Sequence, residues 1–311
     1  MTTFTFRRSR LALLALCVIR FAVARAPAQD VRVETQQQAR ARNENRLEEQ
    51  PAPEDAGDSE LGEIKIVSRA PRPKMFALSS LQTLNFSSNA FLVREGAESD
   101  FFWNGKVGGS FVPYATRNFT PRLSFSQDWF RYYRFSALDF DAQTLQLDLK
   151  YDLKRDDTWY VNGSYAVARL SSPDTGEFYR YGFLNGSITH LVQLRTAPIN
   201  FVMSGGAYGR QGDPSSSDRV SGYLNIAANY NIGENVQLSG FTRPEFQHYT
   251  HDPSGSREDF NLTVGAMLSF RPNPYMALAT AVSYIGNFST VSERRYDLVT
   301  PSFVLAAQFE F

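Results

Sequence analysis

The chain has one cysteine, three histidines and no apolar run long enough to cross a bilayer as a helix. The cysteine, Cys17, lies in a segment that reads as a cleaved leader. The remaining chain then holds no thiol, which excludes disulfides, thiolate metal sites and cysteine nucleophiles together. Neither sign of charge is in excess: 32 basic residues meet 32 acidic ones. Arg7, Arg8, Arg10, Arg20 and Arg25 fall in the leader, leaving 27 against 32, a balance of −5. A nucleic-acid partner is therefore not expected, because binding phosphate needs the opposite sign. The mean hydropathy of −0.34 argues against a bundle of membrane helices. Aromatic residues, by contrast, are abundant at 14%, with 25 Phe and 15 Tyr but only 3 Trp.

Residues 1–28 have the grammar of a secretory signal: the basic stretch Arg7-Arg8-Arg10, the apolar run Leu11 to Ile19, and a small-residue cleavage site at Ala26-Pro27-Ala28. Ala22-Val23-Ala24 is a second candidate cut. Leu16 is too large for the residue that precedes a lipidated cysteine. Residues 29–73 follow as a polar tract rich in Gln, Arg and Glu, closed by Pro51, Pro53, Gly57 and Asp58. So little apolar surface cannot offset the entropy of ordering, so this region reads as a disordered periplasmic arm. Glu63 to Val67 is its one patch with strand character, suited to a partner's sheet edge or the barrel's own wall, the plain alternative being a few loosely ordered residues.

From Met75 the period changes to two. Phe260, Leu262, Val264, Ala266, Leu268 and Phe270 alternate with Asp259, Asn261, Thr263, Gly265, Met267, Ser269 and Arg271. Leu145 to Leu153 and Val220 to Tyr230 repeat the pattern. Successive strand residues point to opposite faces, so each segment has one apolar and one polar side. The runs are about 10–14 residues, longer than soluble strands and matched to a tilted membrane crossing. Short turns at Lys154 to Asp157, Leu194 to Pro198, Ile232 to Asn235 and Arg271 to Pro274 alternate with longer connections. Those longer ones are expected at Ser171 to Glu177, Gly212 to Asp218, Tyr249 to Glu258 and Ser289 to Arg295. Trp103, Trp129, Tyr132, Tyr133, Tyr179, Tyr181, Tyr249 and Phe288 gather at the long-loop ends. Tyr114, Trp159, Tyr160, Tyr230, Phe270 and Tyr275 gather at the short-turn ends, giving two interfacial belts. The expectation is an all-β, closed antiparallel up-and-down transmembrane barrel over residues 74–311. Twelve strands are expected, beginning near Phe76, Asp100, Arg117, Gln143, Thr158, Tyr179, Pro198, Arg219, Val236, Asp259, Tyr275 and Tyr296; ten is the alternative count.

The last of these segments places Phe303, Leu305, Ala307, Phe309 and Phe311 on one face, with Phe311 last. This resembles the C-terminal assembly signal of bacterial outer-membrane β-barrels. The resemblance implies export, chaperoned passage through the periplasm and insertion by the barrel-assembly machinery, with outer-membrane lipid as surroundings. It names no functional family.

Chemistry is sparse. Glu245-Phe246-Gln247-His248-Tyr249-Thr250-His251-Asp252-Pro253-Ser254 superficially resembles the His/Ser patch of outer-membrane lipid hydrolases. In those a histidine and a serine stand two apart on the lipid-facing wall so that the imidazole takes the hydroxyl proton. Here His248 is two before Thr250, and Pro253 interrupts His251 and Ser254, so no catalytic residue is expected. The spacing fits no standard metal site, nothing cradles phosphate, and no cofactor is expected. The inward face is more informative: Lys106, Arg122, Asp128, Asp148, Lys150, Arg210, Arg219, Arg243, Glu245, Asp259 and Arg271 are projected onto the lumen. Two readings follow from these nearly balanced charges. Either a narrow water-filled lumen passes small polar solutes, or the charges pair across the barrel and close it as a structural anchor whose arm at 29–73 captures a periplasmic partner.

Overall fold

The computed structural model describes residues 74–311 apart from 117, 154–157 and 195–196. The expected leader, arm and first short turn lie outside the described residues.

Twelve strands form one ring: β1 (Phe76–Ser87), β2 (Asp100–Phe111), β3 (Phe119–Tyr132), β4 (Phe140–Asp152), β5 (Trp159–Ser172), β6 (Gly176–Gln193), β7 (Ile199–Asp213), β8 (Arg219–Asn231), β9 (Val236–Tyr249), β10 (Arg257–Asn273), β11 (Met276–Ser289) and β12 (Tyr296–Glu310). Each pairs antiparallel with its sequence neighbours, and β12 returns to β1. The seam runs from Ala77↔Glu310 to Asn85↔Ser302, and Phe76 and Phe311 exchange two backbone hydrogen bonds of 2.9 Å at its lower end. A closed ring leaves no strand edge, so the wall N–H and C=O groups can pair from strand to strand without water.

Alternation does the sorting. On β4, Leu145, Leu147 and Leu149 are exposed toward lipid, while Thr144 is buried and Gln146, Asp148 and Lys150 are half-buried on the lumen side. The largest departures from the expected strand starts are at β4 and β6. Pairing of β5 with β6 continues past the expected loop at 171–177 through a bulge between Leu170 and Ser171, leaving only 173–175 as the connection. Gly176 turns there at φ +75°, which an L side chain resists. The long loop expected at that place is thus a tight turn, and Glu177 is a wall residue that pairs with Arg169 Nε at 2.7 Å. β1 alternates poorly because Ser80 and Gln82 stand on its outer face. Trp103 Nε1 donates to Gln82 Oε1 at 3.0 Å, and Gln82 Nε2 donates to Ser80 Oγ at 3.3 Å.

Part of the expected outer aromatic belt is not a belt. Tyr132, Tyr179, Tyr181 and Tyr249 are buried inside the ring, and Tyr160 is buried inside at the lower end. Trp103, Tyr133 and Phe288 remain exposed at the outer end, and Tyr114, Tyr230, Phe270 and Tyr275 at the lower end. The longest connection, 88–99, marks the outer end, and the tightest, 274–275, the periplasmic end.

Candidate functional site

The lumen is the place where polar chemistry collects. Its outer third differs from the rest. Outside the tip of the β5–β6 hairpin, the two outermost inward residues of each strand are buried, except Gly212 and Tyr296, which are half-buried. Below them Gln146, Asp148, Lys150, Asn162, Asn185 and Asn229 are only half-buried. The lumen is therefore packed near the outer mouth and more open among these polar residues, although Asp152, Tyr160, Thr189 and Ser269 are buried at the lower end.

Two walls of opposite character face each other in the packed part. The first spans β2–β6. Phe102, Phe130, Tyr132, Phe140, Leu170, Tyr179 and Tyr181 form one apolar cluster, in which Phe130 and Phe140 stack at 4.2 Å and 8°. Glycine makes this possible at the boundary with β7: a Cβ on Gly212 would lie 2.5 Å from the Tyr179 hydroxyl. The second wall spans β7–β10 and carries Arg210, Arg219, Arg243 and Arg257 among tyrosines. Arg210 lies over Tyr181 at 3.8 Å, Arg219 between Tyr208 and Tyr249 at 5.7 and 5.5 Å, Arg243 over Tyr223 at 3.9 Å, and Arg257 over Tyr249 at 3.8 Å. Such contacts are worth most when desolvated, as here. The carboxylates are held equally firmly. Glu245 accepts from Arg243 Nε and Nη2 at 3.0 and 2.8 Å, from Gln247 at 2.7 Å and from the Tyr208 hydroxyl. Asp259 accepts from Arg257 and from Asn287 at 3.0 Å.

The segment 88–99 between β1 and β2 folds inward, reaching the first wall on one side and β11 and β12 on the other. Ala90 is fully buried in the aromatic cluster, while Leu92 packs on Ile285 and Leu298 of β11 and β12. Asn89 pins the segment: its Nδ2 donates to Val93 O at 2.7 Å and Asp297 O at 3.1 Å, and its Oδ1 accepts from Val93 N at 3.1 Å. Leu92 has φ 54°, a left-handed conformation that costs a side-chain-bearing residue about 1–2 kcal/mol. Buried Asp100 of β2 draws the neighbouring 133–139 loop in, accepting from the backbone N–H groups of Arg134 and Phe135 at 3.1 and 3.0 Å. Phe135 then meets Phe91 edge-on at 4.8 Å.

Ten of the eleven projected lumen residues fall into three groups, and Arg271 makes the eleventh. Arg210, Arg219, Arg243, Glu245 and Asp259 share the second wall, joined by Arg257, which the sequence reading did not single out. Lys106 and Asp128 pair at 3.6 Å between β2 and β3. Arg122, Asp148 and Lys150 lie lower, where Gln146 donates to Asp148 at 2.6 Å and Lys150 pairs with Asp152 at 3.4 Å. Arg271 stands apart at the periplasmic end of β10. These ion pairs, with Arg243–Glu245 and Arg257–Asp259, each form within one strand or between adjacent strands. They hug the wall. Of the residues expected to form an assembly signal, Phe303, Phe309 and Phe311 are exposed, and Leu305 is half-buried on the same outward face.

The aromatic wall was missed, and its signal was in the sequence. Phe101-Phe102, Trp129-Phe130 and Tyr132-Tyr133 are apolar doublets in strands of period two, so one member of each must face inward.

The histidine patch does not assemble a relay. His251 is largely exposed; Thr250 Oγ1 lies 3.1 Å and Asp218 Oδ2 3.4 Å from the same ring nitrogen, Nδ1. A relay needs the carboxylate and the hydroxyl on opposite nitrogens. Ser254 donates to Asp252, not to a histidine. His248 stands at the rim, 3.7 Å from Glu258, and His190 stacks on Trp159 at 4.0 Å near the lower end. Among the described residues no group of three or more His, Cys, Asp or Glu is placed to hold a metal ion.

No protein-family model matches the chain, and no curated protein matches it. Among solved structures it is similar to the COG4313 outer membrane channel from Pseudomonas putida F1, with 14% identity, a TM-score of 0.54, and coverage of 79% of this chain and 100% of that one. It is also similar to the translocator domain of autotransporter NalP from Neisseria meningitidis, at 11% identity and TM-score 0.43 over 78% and 90% of the two chains. The NanC porin matches at 10% identity and TM-score 0.44 over 75% and 100%. The likeness to the Pseudomonas channel is one of fold, a closed antiparallel β-barrel, which in this chain has twelve strands.

Proposed function

We propose that this barrel is a narrow passive channel for small polar solutes, shut at its outer mouth by the inward-folded 88–99 segment. The observation that carries the reading is the placement of the lumen charges. Lys106–Asp128, Lys150–Asp152, Arg243–Glu245 and Arg257–Asp259 pair along the wall instead of bracing one side of the barrel against the other. A barrel closed for strength gains most from pairs that cross the lumen. A conduit keeps its charges at the wall and its axis wet, as the half-buried polar residues of the lower lumen do. Twelve strands stand between the roughly eight that side chains fill and the roughly sixteen that leave an open pore, which suits a small solute and a gate made from one loop. The test is a planar-bilayer recording of the purified protein. Discrete openings are expected, and a silent membrane with both the native protein and Leu92→Ala would overturn the reading.

The packed outer third favours a second reading, a closed barrel that tethers a periplasmic partner through residues 29–73. In that case deleting 29–73 abolishes partner capture and leaves the bilayer silent throughout. Lipid hydrolysis is not part of either reading. The purified protein is expected to release no fatty acid from phospholipid or lipid A esters, and any activity lost in His248→Ala would contradict this.

A further inference from the structure

Charge is unevenly shared around the lower lumen, and the part without it selects a kind of solute. We infer that the channel prefers uncharged, hydroxyl-rich solutes of sugar size, which it takes along a stripe of side-chain amides on β5–β8. This rests on the channel reading and adds to it the class of solute.

The stripe follows from the alternation. Below Arg210 and Arg219, no inward position of β5–β8 carries a charged side chain. Asn162 on β5, Asn185 on β6, Asn200 on β7, and Asn225 and Asn229 on β8 stand there, all half-buried. The register interleaves them with hydroxyls. Asn162 faces Ser187, and Ser164 faces Asn185, across β5 and β6. Ser204 faces Asn225, and Asn200 faces Asn229, across β7 and β8.

These groups are only partly used. Tyr223 donates to Asn185 Oδ1 at 3.0 Å and Asn229 to Asn200 Oδ1 at 2.7 Å. The side-chain N–H groups of Asn185 and Asn200 have no acceptor among the described residues. Asn225 Oδ1 is buried without a donor, and Asn162, Ser164 and Ser187 make no side-chain hydrogen bond among the described residues. A carboxamide holds two donors beside an acceptor, and a hydroxyl both donates and accepts. A row of amides therefore replaces the water that a hydroxyl-rich solute sheds, whichever way each hydroxyl points. An ion needs a counter-charge for the hydration it loses, and this stripe has none to give.

The neighbouring strands do not supply one. Arg122 on β3 stands directly opposite Asp148 on β4, and Lys150 pairs with Asp152 at 3.4 Å. At the periplasmic end Arg271 on β10 and Glu310 on β12 again bring one charge of each sign. Glycine keeps the bore clear beside the stripe. A Cβ on Gly206 would lie 2.7 Å from the Tyr223 hydroxyl, and one on Gly265 2.4 Å from the Phe241 ring. Each ring thus lies along the wall, over a glycine, instead of across the axis.

Uptake of labelled solute into proteoliposomes tests this at pH 6 with three probes of like size: neutral glucose, anionic gluconate and cationic glucosamine. The protein used is full-length Leu92→Ala, in which the outer segment is unseated. Glucose is expected to enter at least about fivefold faster than either charged probe, the worth of roughly one net hydrogen bond. Asn185→Leu and Asn229→Leu, close in size to the native residues, should each slow glucose while leaving KCl conductance nearly unchanged. That conductance also shows that each variant has folded and inserted. Equal uptake of the three probes, or faster gluconate, would overturn the inference. So would glucose uptake unchanged in both leucine variants, or a strong preference for one ion in a KCl gradient. The two claims separate in the same membranes. Openings without a preference for glucose sink this inference alone, whereas a bilayer silent with both the native protein and Leu92→Ala sinks the channel reading and this inference with it.

Discussion

Leu92 offers the sharpest perturbation, because two opposed effects meet at one residue. Its side chain is 9% exposed and packs on Ile285 and Leu298, while its backbone sits at φ 54°. Truncation to alanine removes most of the buried contact and keeps the strain, since alanine also carries a Cβ. Buried Leu→Ala changes cost about 2–5 kcal/mol, and a small satellite cluster belongs at the lower end. About 2 kcal/mol raises the open-to-shut ratio of the 88–99 segment roughly 30-fold. Glycine loses the same contact but relieves the left-handed strain, a gain of about 1–2 kcal/mol. Against that stands roughly 0.4–1 kcal/mol for the greater freedom of a glycine in the unseated loop. The net expectation for Leu92→Gly is about tenfold opening. Single-channel open probability in planar bilayers reads both. The reasoning fails if glycine opens the channel more than alanine, or if neither substitution changes open probability.

Three further outcomes are expected. Asp252 is pushed up by burial, but hydrogen bonds from Ser254 and Arg257 and the nearby guanidinium charge win and hold its carboxyl below the ordinary range. Its stabilising contribution is then fully present at neutral pH and is lost as pH falls below about 4 and through the lowered folded value. The thermal-unfolding advantage of the native protein over Asp252→Asn should accordingly shrink between pH 7 and pH 3 when followed by circular dichroism in detergent. Leu147→Arg, which puts a charge on the exposed outer face of β4, should cost about 2–4 kcal/mol in denaturant unfolding from lipid vesicles. Serine at the inward-facing Gln146 should cost far less. Removal of residues 29–73 should leave the heat-dependent shift in gel mobility intact, because the ring closes between Phe76 and Phe311 without them; loss of the shift would contradict that closure.

The wall was legible because lipid and water impose different demands on alternate residues. Asp259 to Arg271 could be assigned to faces from the sequence, and the observed register agrees at Phe260, Leu262 and Val264 on the outside. Strand ends were less legible. Glu177 looks like a loop residue, yet on β6 it pairs with Arg169 of β5 on the outer wall, where headgroups tolerate charge. The site was half legible. Arg210, Arg219, Arg243, Glu245 and Asp259 could be projected inward by counting, but their tyrosine partners could not be distinguished from an interfacial belt. Phe102 and Phe130 were hidden for a related reason: where both faces of a strand are apolar, a period of two carries no information about which is which. The inward turn of 88–99 follows from tertiary contacts at Asp297 and Leu298, far away in sequence. Its one local trace is the run Ala90-Phe91-Leu92-Val93, too apolar to be left in water.

The up-and-down order of the ring has a consequence for its making. Eleven of its twelve interfaces join strands that follow one another along the chain; only β1 with β12 brings together distant parts. Hairpins can therefore accumulate one after another at little entropic expense, and nearly all the cost of bringing remote segments together falls on a single late event. Until that event both outermost strands present bare hydrogen-bonding rims, each able to join a neighbouring molecule as readily as its own mate. A chain halted just before closure is the most dangerous species in its own biogenesis, and the exchange between Phe76 and Phe311 is the latch that ends the exposure.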